Sequence, residues 1–245
     1  MKRVAKRQTT AKAREQIDDL IGRAQARRRV EPAACLALAQ EALAAALTLQ
    51  DRHRTAACKL LCAELHFDLS NYARCCADAA EALAGFEELG DALGCIDSQR
   101  ALGRSHKRLG HDELAKAHLE LSLELSLREG QQAKAGYALL SLGHLRHNAG
   151  DFGGSIPLYR RALDLAQPLQ DAQLQAMAES GLANAFARLG EYARALEYHQ
   201  RCLKQFDEAH FPRERAFILN NIANVHQALG DPLSAIALHE QSLAL

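Results

Sequence analysis

The sequence predicts an all-α solenoid of about six helical hairpins. Three observations predict it: a forty-residue period, a turn signal at each step of that period, and columns of small residues and leucines in one register. Stepping by forty from Ser70 gives Gly110, Gly150, Gly190 and Gly230, and the residues that follow are Asn71, His111, Asp151, Glu191 and Asp231. Glycine supplies the left-handed end of one helix, and Asn or Asp caps the start of the next. Ahead of each turn stand Ala63, Gly103, Gly143, Ala183 and Ala223, and beyond it come Cys35, Cys75, Ala115, Ser155, Ala195 and Ala235. Small residues at both places let the two helices of a hairpin approach closely. Leu43, Leu83, Leu123, Leu163, Leu203 and Leu243 form the leucine column. One such hairpin cannot bury its own apolar face, so stability must come from stacking on its neighbours.

Taken in order, residues 1–10 are expected to be a flexible basic lead. Residues 1–30 hold ten cations (Lys2, Arg3, Lys6, Arg7, Lys12, Arg14, Arg23, Arg27, Arg28, Arg29) against Glu15, Asp18 and Asp19, a net of +7 in a chain whose total is zero. The first hairpin, about 11–50, is degenerate: Arg23 stands where a small residue is expected, and Arg27 to Arg29 precede its turn. A weak terminal unit suits a cap that faces solvent. Hairpins follow at about 51–90, 91–130, 131–170, 171–210 and 211–245, joined by linkers such as "LQD" and "LGD", so that 11–245 reads as a single solenoid. Pro32, Pro212 and Pro232 fall at helix starts, where proline is tolerated. Pro157 lies inside a helix after Gly153 and Gly154, which predicts a late start or a bend there. The last helix stops at Leu245 with "QSLAL" still apolar, the expectation being a piece cut from a longer protein. The alternative is a natural end that pairs with another chain.

Composition excludes several classes. Hydrophobic residues make up 48%, enough for a continuous core, while 30 basic and 30 acidic residues leave no overall field toward nucleic acid or anionic membrane. No secretory leader or membrane span is present in the pattern. The basic start would give only salt-sensitive, unspecific attraction to nucleic acid. Seven cysteines, an odd number without a CxxC pair, fit reduced thiols and a cytoplasmic protein. His111, Asp112 and His118 resemble a metal or acid/base group, but they open a helix, where capping explains the first two. Cys58, Cys62 and His66 share a helix face at positions that other hairpins fill with packing residues. His199 likewise falls in a packing column. No phosphate loop, HExxH or nucleophile elbow occurs. The expectation is no enzyme, no catalytic residue, no metal and no cofactor.

With "LGEYARALEYHQRCL" and "LGDPLSAIALHEQSL", the small-residue and leucine columns resemble tetratricopeptide repeats over residues 11–245. The forty-residue period is similar to the long-helix variant of Pins-type scaffolds and bacterial signalling proteins. The resemblance implies that the first helix of each hairpin lines a concave groove. Carried over residue by residue, that face takes Asp97, Arg100, Arg104, Lys107 and Arg108, then Tyr137, Leu140, His144, His147 and Asn148. Met177, Ser180, Asn184 and Arg188 follow, then Phe217, Asn220, Asn221, Asn224 and Gln227. Guanidinium groups bind carboxylates through paired bonds, and Asn side chains pair with a peptide backbone. Tyr137, Leu140, Met177 and Phe217 would be apolar anchors. The carboxylate clamp of chaperone-binding members is not reproduced, since Ser141 and Met177 stand where its later Asn and Lys would be.

The function implied is a protein-protein interaction module that binds a peptide or helix, acidic where it meets the arginines, as the N-terminal sensor or docking part of a bacterial signalling protein. The alternatives are a structural scaffold that forms a homodimer through its C-terminal helix, or a substrate-presenting domain of a larger enzyme such as a nucleotide cyclase or kinase.

Overall fold

The computed structural model describes residues 2–28, 30–206 and 212–245, with side chains from residue 10 onward. The side chains of Lys2, Arg3, Lys6 and Arg7, residue Arg29, and the junction at 207–211 lie outside the described residues. Among the described residues there are twelve α-helices and no strand: α1 (Lys2–Arg27), α2 (Pro32–Thr48), α3 (Arg52–Asp68), α4 (Tyr72–Leu89), α5 (Ala92–Arg108), α6 (Asp112–Arg128), α7 (Gln132–Asn148), α8 (Phe152–Leu169), α9 (Ala172–Arg188), α10 (Tyr192–Gln205), α11 (Pro212–Ala228) and α12 (Pro232–Leu243). They form six hairpins of an all-α solenoid. The chain divides into two compact units, Met1–Gly130 and Gln131–Leu245, with three hairpins each. Within each unit successive helices pack on one another, and odd helices also touch the next odd helix: α1, α3 and α5 in the first unit, α7, α9 and α11 in the second.

The helix ends show why the period is so regular. A residue with positive φ recurs every twenty residues, at Gln50, Ser70, Gly90, Gly110, Gly130, Gly150, Gln170 and Gly190, and again at Gly230. The next helix is then capped. Asp51, Asn71, Asp91, Asp151, Asp171 and Asp231 each accept a backbone N–H from the first turn, at 2.8 Å for Gly154 on Asp151. His111, expected to cap, makes no such bond, and neither does Glu191. The His111 imidazole instead turns its Nδ1 to within 3.3 Å of His106 Nδ1, and the longer Glu191 side chain accepts from Arg194 at 2.6 Å.

Three other expectations change. Pro157 neither delays nor interrupts α8, which begins at Phe152. Asp151 and the Ser155 hydroxyl, which donates to the Phe152 carbonyl at 2.7 Å, already fix the first turn, so the proline forfeits one bond without moving the start. The first hairpin is shifted by one residue, and its small-residue position, Gly22, is exposed with nothing within 4 Å of an added Cβ. Its turn, 28–31, is one residue longer than 69–71, so Ile17, Leu20 and Ala24 take the buried positions of Cys58, Leu61 and Leu65. Gly22 then stands at the register of Ala63, and exposed Arg23 pairs with Asp19 at 3.4 Å. Residues 2–10, expected as a flexible lead, continue α1.

The small-residue columns are buried, with Ala63, Cys75, Ala115, Ser155, Ala183, Ala195 and Ala223 at 0% exposure. At Gly103 an added Cβ would lie 2.6 Å from Leu119 Cγ, so the helix separation needs glycine there. Tyr159 of α8, 1% exposed, fits a notch made by Gly143 of α7 and Gly181 of α9. Leu163 is buried and the earlier column leucines are half-buried, whereas Leu243 is 87% exposed.

Candidate functional site

In the first unit the side chains expected to bind a partner lie on α5, facing α3. Arg28, just past α1, reaches across to the two α3 carboxylates: it donates to Glu64 Oε2 and Asp68 Oδ1, the latter at 3.1 Å, and to the Glu64 carbonyl at 3.2 Å. Burial pulls the Arg28 pKa down, but the bond to Asp68 and the charges of Glu64 and Asp68 outweigh it, so the net shift is upward. Arg100 approaches Glu64 at only 3.8 Å and Asp97 at 3.9 Å, both too long for hydrogen bonds. Arg108 donates to the Tyr72 hydroxyl at 3.0 Å and lies over that ring. The Arg104 guanidinium stands 4.1 Å from the centre of the Phe67 ring, a cation–π contact. Burial lowers the Arg104 pKa, and neighbouring Arg100 lowers it further. Lys107 is lowered by burial and then by Arg108 and Arg104.

Arg28, Glu64, Phe67, Asp68 and Tyr72 were not among the sequence candidates. A signal existed for three of them. Stepping back forty from Arg104, Lys107 and Arg108 lands on Glu64, Phe67 and Asp68, so α3 offers carboxylates in the columns where α5 offers cations.

In the second unit α7, α9 and α11 present a different surface. Tyr137 donates to the Asp171 carboxylate at 3.3 Å, and His144 packs against Tyr159. His147 lies edge-on to Phe152, with ring centroids 4.9 Å apart, while the Arg188 guanidinium covers the same ring at 5.0 Å. Burial lowers the His147 pKa, and Arg188 adds to the shift. Asn184 is half-buried and Asn220 and Asn224 are exposed, with no hydrogen bond among the described residues. Asn221 sits deeper, its Nδ2 buried without a partner. Met177 and Phe217 are 39% and 58% exposed, available as apolar contacts. Leu140 is not available: at 2% exposure it belongs to the core.

The groups weighed for chemistry are packing elements. Burial pushes the Cys58 and Cys62 thiols up to about 11 and about 12, so both are neutral near pH 7. His106 and His118 stack with centroids 5.4 Å apart, and His118 Nδ1 lies 2.7 Å from Gln99 Oε1. Among the described residues no three His, Cys, Asp or Glu side chains converge on a metal position. No helix among them is long and apolar enough to cross a membrane.

No curated protein sequence matches the chain. The fold is similar to several solved structures at identities that show the fold alone. BtubC (BKLC) from P. vanneervenii superposes with a TM-score of 0.69 at 20% identity, over 93% of this chain and 90% of that one. A Rap protein solved in complex with Competence and Sporulation Factor gives 0.71 at 14%, over 94% and 74%. A signal transduction ATPase with a tetratricopeptide repeat sensor, from Pyrococcus horikoshii, gives 0.68 at 17%, over 84% of this chain and 34% of that one. The tetratricopeptide repeat model matches residues 134–208 and 174–245. Residues 134–245 thus carry tetratricopeptide repeats, and the six hairpins of the whole chain share their fold with solved tetratricopeptide-repeat proteins.

Proposed function

We propose that this protein is an interaction module whose odd-numbered helices hold a peptide or helix of another protein, as the sensor or docking part of a bacterial signalling system. One observation carries the reading. The packing columns are nearly constant from hairpin to hairpin, while one face of the odd helices changes from cations on α5 to free amides and exposed Met177 and Phe217 on α9 and α11. Stability alone does not require that variation. The similar Rap structure holds Competence and Sporulation Factor, and the similar ATPase uses its repeats as a sensor, which supports a recognition role. Seven unpaired cysteines suit the reducing cytoplasm. We assign the module no catalysis of its own.

The test is selection from a displayed peptide library by the wild type and by the variant Arg100→Glu, Arg104→Glu, Arg108→Glu. Wild-type selection should enrich Asp and Glu, and the triple reversal should abolish that enrichment. Identical selection by both proteins would sink the assignment of the α5 face.

A second reading, a homodimer through α12, is favoured by one feature. Ile236 and Leu243 are 55% and 87% exposed in the register where Leu196 and Leu203 of α10 pack beside Ile218 and Ile222 of α11.

A further inference from the structure

The α5 face has a particular charge deficit. Its five cations are Arg28, Arg100, Arg104, Lys107 and Arg108, and the carboxylates whose charge reaches them are Glu64, Asp68, Asp97 and, toward Lys107, Asp112. Arg28 engages both α3 carboxylates. Arg100 has only the long contacts to Glu64 and Asp97, and Arg108 is held by the Tyr72 hydroxyl. Arg104 and Lys107 have neither a hydrogen bond nor an ion pair among the described residues. Both are half-buried, one turn apart on the same helix. Unpaired cations in a partly desolvated site are a liability for the free protein, one that a bound anion removes. A carboxylate would match one of the two charges. A phosphomonoester, with about −1.5 to −2 charges at pH 7 and three acceptor oxygens, matches both. Phe67 holds the Arg104 guanidinium plane, so its outer N–H groups are oriented before the ligand arrives.

We propose that Arg104 and Lys107, flanked by Arg100 and Phe67, bind the phosphate of a phosphorylated side chain on the partner peptide. This deepens the reading of the α5 face as a partner-binding surface and rests on it for the peptide as the source of the phosphate. Arg28 is a positioning residue here. By engaging Glu64 and Asp68 it keeps those carboxylates from neutralising the two free cations.

The experiment uses the full chain with nitrogen-15 arginine, at constant ionic strength. It is titrated with a blocked glycyl-phosphoseryl-glycine tripeptide, with its glutamyl and seryl counterparts, and with inorganic phosphate. The phosphoseryl peptide should shift the Arg104 Nε–H resonance saturably and bind about tenfold or more tighter than the glutamyl one, with no response to the seryl one. Inorganic phosphate should bind more weakly than the phosphopeptide. Affinity should fall between pH 7.5 and 5.5, as the phosphate takes up a proton near its second pKa of about 6. Arg104→Gln and Lys107→Gln should each weaken binding about tenfold; Lys107→Gln should leave the melting temperature unchanged, because it breaks no hydrogen bond or ion pair, while Arg104→Gln gives up the contact with Phe67 and should lower it by no more than a few degrees. Arg52→Gln, on an exposed pair with Glu88, should change nothing.

Equal affinity for phosphoseryl and glutamyl peptides, or undiminished binding by Arg104→Gln, overturns the proposal. Inorganic phosphate binding as tightly as the phosphopeptide removes the peptide as source. Failure of the broader reading looks different: the peptide library would show no selection on this face while the phosphate titration still saturated.

Discussion

Tyr159 shows how one absent methyl group sets the distance between helices. Its buried ring lies where an alanine Cβ at position 143 would come to 2.5 Å from Cε1, and one at position 181 to 2.7 Å. With 1% of its surface exposed, the ring has nowhere to go. Gly143→Ala and Gly181→Ala should each destabilise the protein by about 1–3 kcal/mol, the usual cost of overpacking. Gly153→Ala, with nothing within 4 Å of the added carbon, should not destabilise it. Urea unfolding midpoints decide the matter, and Tyr159→Leu should restore part of the loss in the Gly143→Ala background. An unchanged midpoint for Gly143→Ala would show that the helices part without cost. Gly143 was legible in the sequence because it recurs at the period. Gly181 was not, because its need arises from a side chain of the preceding helix.

At the scale of the helix, α10 carries a buried base. His199 is 1% exposed, its Nδ1 lacks a partner, and burial holds its pKa down at about 4. The unfolded value is about 6.5, so between pH 6.5 and 4 the unfolded chain binds the extra proton. Stability from this residue is therefore complete above pH 6.5 and is lost as the pH falls. The loss is about 2 kcal/mol at pH 5 and about 3 kcal/mol at pH 4. His106, His118 and His147, also lowered by burial, act in the same direction. Melting temperatures from pH 7.5 to 5 should fall, and His199→Leu should flatten the slope. Parallel slopes for wild type and variant would rule His199 out as a source. The periodicity placed His199 in a packing column, which is borne out. The helix caps were legible at Asp and Asn, but at His111 and Glu191 reach decided, and both side chains found other partners.

At the scale of the whole molecule, the exposed α12 face makes self-association measurable. Leu233, Ile236 and Leu243 expose 80%, 55% and 87% of their surface. If the second reading holds, light scattering over a range of concentrations will show mass rising above the 26.8 kDa of one chain, and Ile236→Asp with Leu243→Asp will return it to that value. A mass independent of concentration removes that reading. It leaves the odd-helix faces untouched, because they lie on other helices.

The sequence by itself determined the fold class, the hairpin period and the helix ends. All three are local: a left-handed residue every twenty positions, a cap behind most of them, and small residues where helices cross. The resemblance to tetratricopeptide repeats, rather than the period itself, indicated which face of the odd helices to compare from hairpin to hairpin. Tertiary structure decided what that face offers. Arg28, in the turn between α1 and α2, engages Glu64 and Asp68, and Arg104 and Lys107 are left without a hydrogen bond or ion pair among the described residues. Leu140, placed on that face by the resemblance, is buried in the core. Charge pairing between helices depends on distances across the stack, and a forty-residue period fixes the register of those columns without fixing which cation reaches which carboxylate.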